Sequence, residues 1–124
     1  MELLPAIDLR EGAVVRLQRG EDARRTVYSK EPGEVLRRFA DAGVQRVHMV
    51  DLDAAFGEPA QRALIEELAT SVEGVHLQLG GGLRDRAAID WAFAAGIDRV
   101  VVTSMIVRDF ENFAAATRDH AGRV

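Results

Sequence analysis

Four places in the chain carry residue types suited to chemistry. Asp8 closes the short apolar run Leu3–Leu9, and a carboxylate at such a point can act as a general acid or base. An isolated Asp at a strand end more often caps a turn, so Asp8 alone decides nothing. His48 and Asp51 stand three apart in Val47-His48-Met49-Val50-Asp51-Leu52-Asp53. Side chains alternate along a regular strand, so these two cannot both face the same side unless Asp51, at the end, turns away from the pattern. A lone His on a strand is more often a packed residue than a functional one. Gly80-Gly81-Gly82 follows the apolar run Val75–Leu79 and precedes a helical pattern. Glycines there let backbone N–H groups approach an anion, although a bare Gly triplet is usually a tight turn. Thr103-Ser104 follows the run Arg99–Thr103 and offers hydroxyls and amides to the same anion, although such residues are common at strand ends.

Other chemistries lack their residues. His48, His76 and His120 are scattered and there is no cysteine, so neither a metal site nor a disulfide is expected. No Walker loop or nucleophile elbow occurs, and no cofactor is expected. Sixteen basic against twenty acidic residues give a net charge of −4, and no basic stripe suggests nucleic acid. A local site can still attract an anion against that global charge. The absence of cysteine fits a reducing cytoplasm. The first residues lack a basic region and a long apolar core, so no signal peptide is expected, and no run is long enough to span a bilayer.

The elements that must position these residues follow a repeating pattern. The apolar runs Leu3–Leu9, Arg46–Leu52, Val75–Leu79 and Arg99–Thr103 read as parallel strands buried on both faces. Between them, Glu31–Ala42 places Val35, Leu36 and Phe39 on one face, and Pro59–Thr70 carries Leu64, Ile65 and Leu68. Asp85 is placed to cap a helix through Ala95 with Ile89, Ala92 and Phe93 inward. Asp109 is placed to cap a last helix with Phe110, Phe113 and Ala114 on its buried side. Gly12–Ser29 exceeds an ordinary loop. Val14–Leu17 alternates as in a small hairpin, while Arg19–Lys30 reads as a polar, mobile cover. The string Ala42-Gly43-Val44-Gln45-Arg46-Val47 returns as Ala95-Gly96-Ile97-Asp98-Arg99-Val100. It reads as an internal repeat or as residues that any helix-to-strand turn favours.

This β-α-β-α-β-α-β-α order predicts one α/β domain over residues 1–124 with parallel strands, a (βα)4 half of a TIM barrel. A closed barrel takes eight strands and about 250 residues. Strands one and four would leave open edges, so the chain is expected to complete the barrel by self-association, strand four of each copy joining strand one of the other. A small open sheet with helices on both faces is the alternative.

In this order the four clusters resemble the N-terminal half of the ProFAR isomerase family of histidine biosynthesis. The carrying strings are Leu4-Pro5-Ala6-Ile7-Asp8-Leu9, Val15-Arg16-Leu17 with Gly20, His48-Met49-Val50-Asp51-Leu52-Asp53 and Gly80-Gly81-Gly82-Leu83-Arg84. The run Val50–Gly57 looks most like the actinobacterial branch, whose members also serve tryptophan biosynthesis. The resemblance implies an isomerase of the Amadori type, with an acid opening a ribose ring and a base removing the C2 proton. It implies that Asp8 is catalytic, that Arg16, His48 and Asp51 contact a phosphoribosyl substrate, and that Gly80, Gly81, Gly82, Thr103 and Ser104 hold its phosphate. The chain ends about where the family's fifth strand begins, so weak isomerase activity at most is expected, and a homodimer or higher oligomer. A phosphosugar-binding half-barrel without catalysis, or a scaffold that binds nothing, are the alternatives. One departure is visible. Where the family commonly reads Gly-Thr, this chain has Thr103-Ser104 followed by Met105 and Ile106, which adds a side chain near the phosphate and a more apolar loop suited to a dimer contact.

Overall fold

A computed structural model describes residues 4–124. The strands are β1 (Ala6–Arg10), β2 (Ala13–Gln18), β3 (Glu21–Ser29), β4 (Arg46–Asp51), β5 (His76–Gly80) and β6 (Arg99–Val100). The helices are α1 (Pro32–Asp41), α2 (Leu52–Ala55), α3 (Arg62–Ser71), α4 (Arg86–Ala95), α5 (Ser104–Arg108) and α6 (Phe110–Asp119). They form one mixed sheet in the order β3-β2-β1-β4-β5-β6, parallel from β1 through β4 and β5 to β6. The four predicted strands are all present, and the predicted start of the first at Leu3 lies outside the described residues.

The core explains the repeating pattern. Ile7, Leu9, Val47, Met49, Leu77, Leu79 and Val100 alternate onto one face of the sheet and are buried there. Leu36, Ile65, Leu68, Ile89, Ala92 and Ala116 meet them from the helices. Each such Leu or Ile contributes about 1.5–3 kcal/mol by leaving water. Neighbouring helices pack α1 on α3, α3 on α4 and α4 on α6, a single layer. The opposite face of the sheet stays open: Ala6 and Val101 are exposed, and Asp8, His48, Val50 and Gln78 are half-buried. That one-sided cover is the α/β arrangement of a partial barrel rather than of a sheet wound on both faces.

Both copies of the repeated string end their helices in the same way. Gly43 N–H donates to Ala40 O and Val44 N–H to Phe39 O, while Gly96 N–H donates to Phe93 O and Ile97 N–H to Ala92 O. Gly43 (φ +85°) and Gly96 (φ +106°) are both left-handed. This is the helix-ending turn that needs a glycine, so the repeated residues have a shared conformational cause.

Several sequence expectations are corrected. Arg19–Lys30 is not a structureless cover: Glu21–Ser29 is a nine-residue strand paired antiparallel with β2. Because β2 itself pairs with β1 at Asp8–Val15, Leu9–Val14 and Arg10–Ala13, that edge of β1 is already occupied. On the far side, Val100 N–H donates to Arg123 O at 2.7 Å, so the final residues lie along β6. Strand one is therefore not the free edge that direct pairing with strand four of a second copy requires. Helix α3 starts at Arg62 rather than Pro59, because Gln61 N–H is held by Asp51 Oδ2 at 2.9 Å. The Asp109 side chain makes no capping bond to a backbone N–H of α6, and Phe110 is 60 % exposed rather than buried. Met105 is buried in the core instead of adding to an apolar loop surface, whereas Ile106 is exposed.

Candidate active site

The open face of the sheet carries the candidate chemistry. Asp8 on β1 and His48 on β4 both point to it, since the alternate residues Ile7, Leu9, Val47 and Met49 fill the helix side. The two are close enough to influence each other's ionisation. Partial burial pushes the Asp8 carboxyl above the usual carboxylate range, while His48 pulls it back. Burial pushes the His48 imidazole below its usual range, while Asp8 opposes that shift. In both, desolvation outweighs the neighbouring charge. Gln78 on β5 stands directly beside His48 in the register, and its Nε2 lies 2.9 Å from His48 Nδ1.

At the carboxyl ends of the parallel strands this face opens into a cleft of ≈ 390 Å³. His48 and Val50 form part of its lining, with Gly80, Gly81 and Gly82 after β5 and Thr103 and Ser104 at the start of α5. Arg84 and Arg108 also line it. Two guanidinium groups beside a glycine loop make a site suited to an anion. The Arg84 guanidinium is steadied by donating to Ala54 O at 3.1 Å. Thr103 makes no side-chain capping bond to α5.

The three glycines differ in what they do. A Cβ on Gly81 (φ +100°) would stand 2.5 Å from Asp51 O, and one on Gly82 (φ +72°) would stand 2.5 Å from the Ala54 Cβ. Both are required for the β5–α4 turn to lie against the end of β4. A Cβ on Gly80 would meet His48 Cε1 at 3.3 Å and Nε2 at 3.6 Å and Val101 at 3.7 Å, so Gly80 keeps the imidazole edge clear.

Thus the structure brings together His48, Gly80–Gly82, Thr103 and Ser104, with Asp8 beside His48. It does not bring Asp51 or Arg16 to them. Asp51 is 2 % exposed on the helix side, where it accepts from Ala54 N, Gln61 N and Gln61 Nε2. Arg16 lines a separate cleft on the hairpin with Arg19, Arg24, Thr26 and Tyr28, its Nη1 3.4 Å from the Tyr28 hydroxyl. Sequence reasoning missed Gln78, Arg108 and the buried Arg10. Arg10 pairs with Asp22 of β3 at 3.0 Å, with Asp53 at 2.7 Å and with Glu58, and lies over the Phe56 ring. It thereby fastens the hairpin to the loop after α2. An Arg two residues after Asp8, followed later by acidic loops, was the only available signal. Among the described residues, no group of acidic, His or Cys side chains is arranged to hold a metal. No helix among them is long and apolar enough to cross a membrane.

A parallel-dominated sheet with helices on one side and a cleft at the strand ends is the arrangement of a partial-barrel α/β protein. The chain belongs to the histidine biosynthesis protein family, whose model matches residues 2–124. Its relatives include ProFAR isomerases of Sphingopyxis alaskensis, 43% identical over 125 residues, and of Desulforamulus reducens, 42% identical over 125 residues. Both alignments cover 100% of this chain but only 51% and 50% of the relative. The isomerase of Thermomicrobium roseum is 48% identical over 103 residues, 82% of this chain and 42% of the relative. The chain thus spans about half the length of these relatives and corresponds to their N-terminal half.

Proposed function

We propose that this chain supplies the first acid–base carboxylate and the first phosphate-binding end of an Amadori-type phosphoribosyl isomerase. The observation that carries the reading is Asp8, register partner of Val50 on the open face and diagonal to His48, next to a cleft walled by Gly80–Gly82 and Thr103–Ser104. A phosphate in that cleft would meet the glycine-loop amides, the Thr103 hydroxyl, Arg84 and Arg108. The attached ribose would then extend across the open face toward Asp8, which the register sets level with Val50 and Gly80. A carboxyl whose proton is held more firmly than usual suits the step that protonates the ring oxygen. The C2 proton then needs a second base. On the open face of β1, β4, β5 and β6, Asp8 is the only carboxylate among the described residues, so a second carboxylate would come from elsewhere.

A second half, either another copy or a separate chain, would supply it and cover the open face. Two copies of Asp8 would have to hold different protonation states, as neighbouring carboxylates do by mutual perturbation. The test is turnover of ProFAR by the purified chain, alone and mixed with the C-terminal half of a relative. Turnover that falls by at least about 100-fold in Asp8→Asn supports the reading. Turnover that survives the substitution refutes the role of Asp8.

A second reading, a phosphosugar-binding half without catalysis, is favoured by that same single carboxylate. It predicts that inorganic phosphate raises the melting temperature while no ProFAR is converted. No phosphate shift would sink it.

A further inference from the structure

We propose that Gln78 is a positioning residue that fixes His48 in the tautomer bearing its proton on Nε2, so that the cleft receives a neutral hydrogen-bond donor. What that donor serves rests on the reading of the site given above; the tautomer itself belongs to the free chain. His48 and Gln78 are register partners on adjacent parallel strands and share the open face. Gln78 presents its amide nitrogen, which can only donate, 2.9 Å from His48 Nδ1. A ring nitrogen that accepts carries no proton, and in a neutral imidazole the other nitrogen must then carry it. That other nitrogen, Nε2, lies toward Gly80 and the cleft, 3.6 Å from where a Cβ on Gly80 would stand. Among the described residues it has no hydrogen-bond partner, and it is not sealed from solvent. Gln78 and Gly80 thus act on opposite edges of one ring: the first sets where the proton sits, and the second keeps that position open.

A carboxamide suits this task because it is uncharged. Burial and a neighbouring charge pull the ring in opposite directions. Asp8 on β1 favours the imidazolium. The cationic groups that face the same side are Arg46 one pleat below on β4, Arg99 beside Gln78 on β6, and Arg84 and Arg108 in the cleft, while His76 stands one pleat below Gln78 on β5. A carboxylate in place of Gln78 would instead accept from Nδ1–H. It would reverse the tautomer and stabilise the cation.

The decisive measurement is the long-range proton–nitrogen correlation spectrum of 15N-labelled histidine in the full chain, recorded across a pH titration. Wild type is expected to show protonated Nε2 and bare Nδ1 for His48 above its titration midpoint. Gln78→Glu should move the proton to Nδ1 and raise the midpoint by about one pH unit or more. Gln78→Met, equal in length and without a donor, should give a tautomer mixture. A wild-type ring protonated on Nδ1, or a Gln78→Met spectrum unchanged from wild type, overturns the proposal. Should Gln78→Glu not fold, the wild-type and Gln78→Met spectra decide. Absence of ProFAR turnover in a chain with the expected tautomer would count against the isomerase reading and leave this inference standing.

Discussion

Gln61 grips Asp51 twice: its backbone N–H donates to Oδ2 and its side-chain amide to Oδ1, each at 2.9 Å. The same amide nitrogen donates to Leu9 O at 2.9 Å, and the Gln61 Oε1 accepts from Gly12 N at 2.8 Å. One side chain therefore ties the end of β4 to the end of β1 and to the turn that opens the hairpin. Asp51 is spent on this work, with its remaining acceptor capacity on Ala54 N.

Removing that carboxylate should therefore act on stability. Asp51→Ala strands the buried N–H groups of Ala54 and Gln61, and the expected loss is about 3 kcal/mol, read from urea unfolding. Gln61→Ala should cost less alone. The double variant should fall short of the sum by about 1 kcal/mol, because the two share one set of bonds. Strict additivity would show that the bonds do not operate in solution. Loss of phosphate binding by a fully stable Asp51→Ala would instead restore Asp51 to the binding site.

The Gly80–Gly82 loop separates geometry from ligand binding. Gly82→Ala forces a side chain against Ala54 at a positive φ, and Gly81→Ala forces one against the backbone of Asp51. Each is expected to cost at least about 2 kcal/mol. Gly80→Ala meets only an imidazole edge that can give way, so it should fold within about 1 kcal/mol of wild type while changing the His48 spectrum. Equal destabilisation by all three substitutions would contradict the distinct packing of the three positions.

The reach of the sequence stopped at identifiable points. The strands β1, β4 and β5 were legible as short apolar runs, but those runs read as buried on both faces, whereas Asp8, His48, Val50 and Gln78 are only half-buried because helices cover one side alone. The glycine helix ends at Gly43 and Gly96 were readable because they need a single conformation that few residues accept. The length of β3 was not readable. Glu21–Ser29 is polar because it lies along an edge with little core beneath it, so the strand has no hydrophobic signature. The face of Asp51 follows from alternation, but its partner Gln61 is ten residues away and gives no local signal. His48 and Gln78 became a pair only once the parallel register placed them side by side.

The paired ionisations give a pH signature. The Asp8 carboxyl is raised in the folded chain, so the stability it contributes is complete below the ordinary carboxylate value and is lost as pH rises through the folded value. Asp8→Asn should therefore be more stable than wild type at pH 7, with the advantage shrinking below about pH 4. The His48 imidazole is lowered, so its contribution is present above its ordinary value and is lost as pH falls through the folded value. Because Asp8 supports the imidazolium, Asp8→Asn should also lower the His48 midpoint in an NMR titration. An unchanged midpoint would mean that the two groups do not interact in solution.

The exposed apolar residues make a last expectation concrete. Val107 is 87 % exposed, Phe110 60 %, Ile106 42 % and Val101 40 %, and all four lie on the flank formed by β6, α5 and the start of α6. The opposite flank ends on β3, where Val27 (49 % exposed) and Tyr28 (64 % exposed) stand among polar neighbours. If a second half covers the open face, burial of the apolar flank at β6 returns about 25 cal/mol per Å². Sedimentation of the purified chain should then show concentration-dependent association, and Val107→Glu with Phe110→Ser should shift it toward the monomer. Neither substitution touches the core, so circular dichroism and the His48 spectrum should stay unchanged. A chain that remains monomeric at high concentration would rule out self-association and leave a separate C-terminal half as the partner to test.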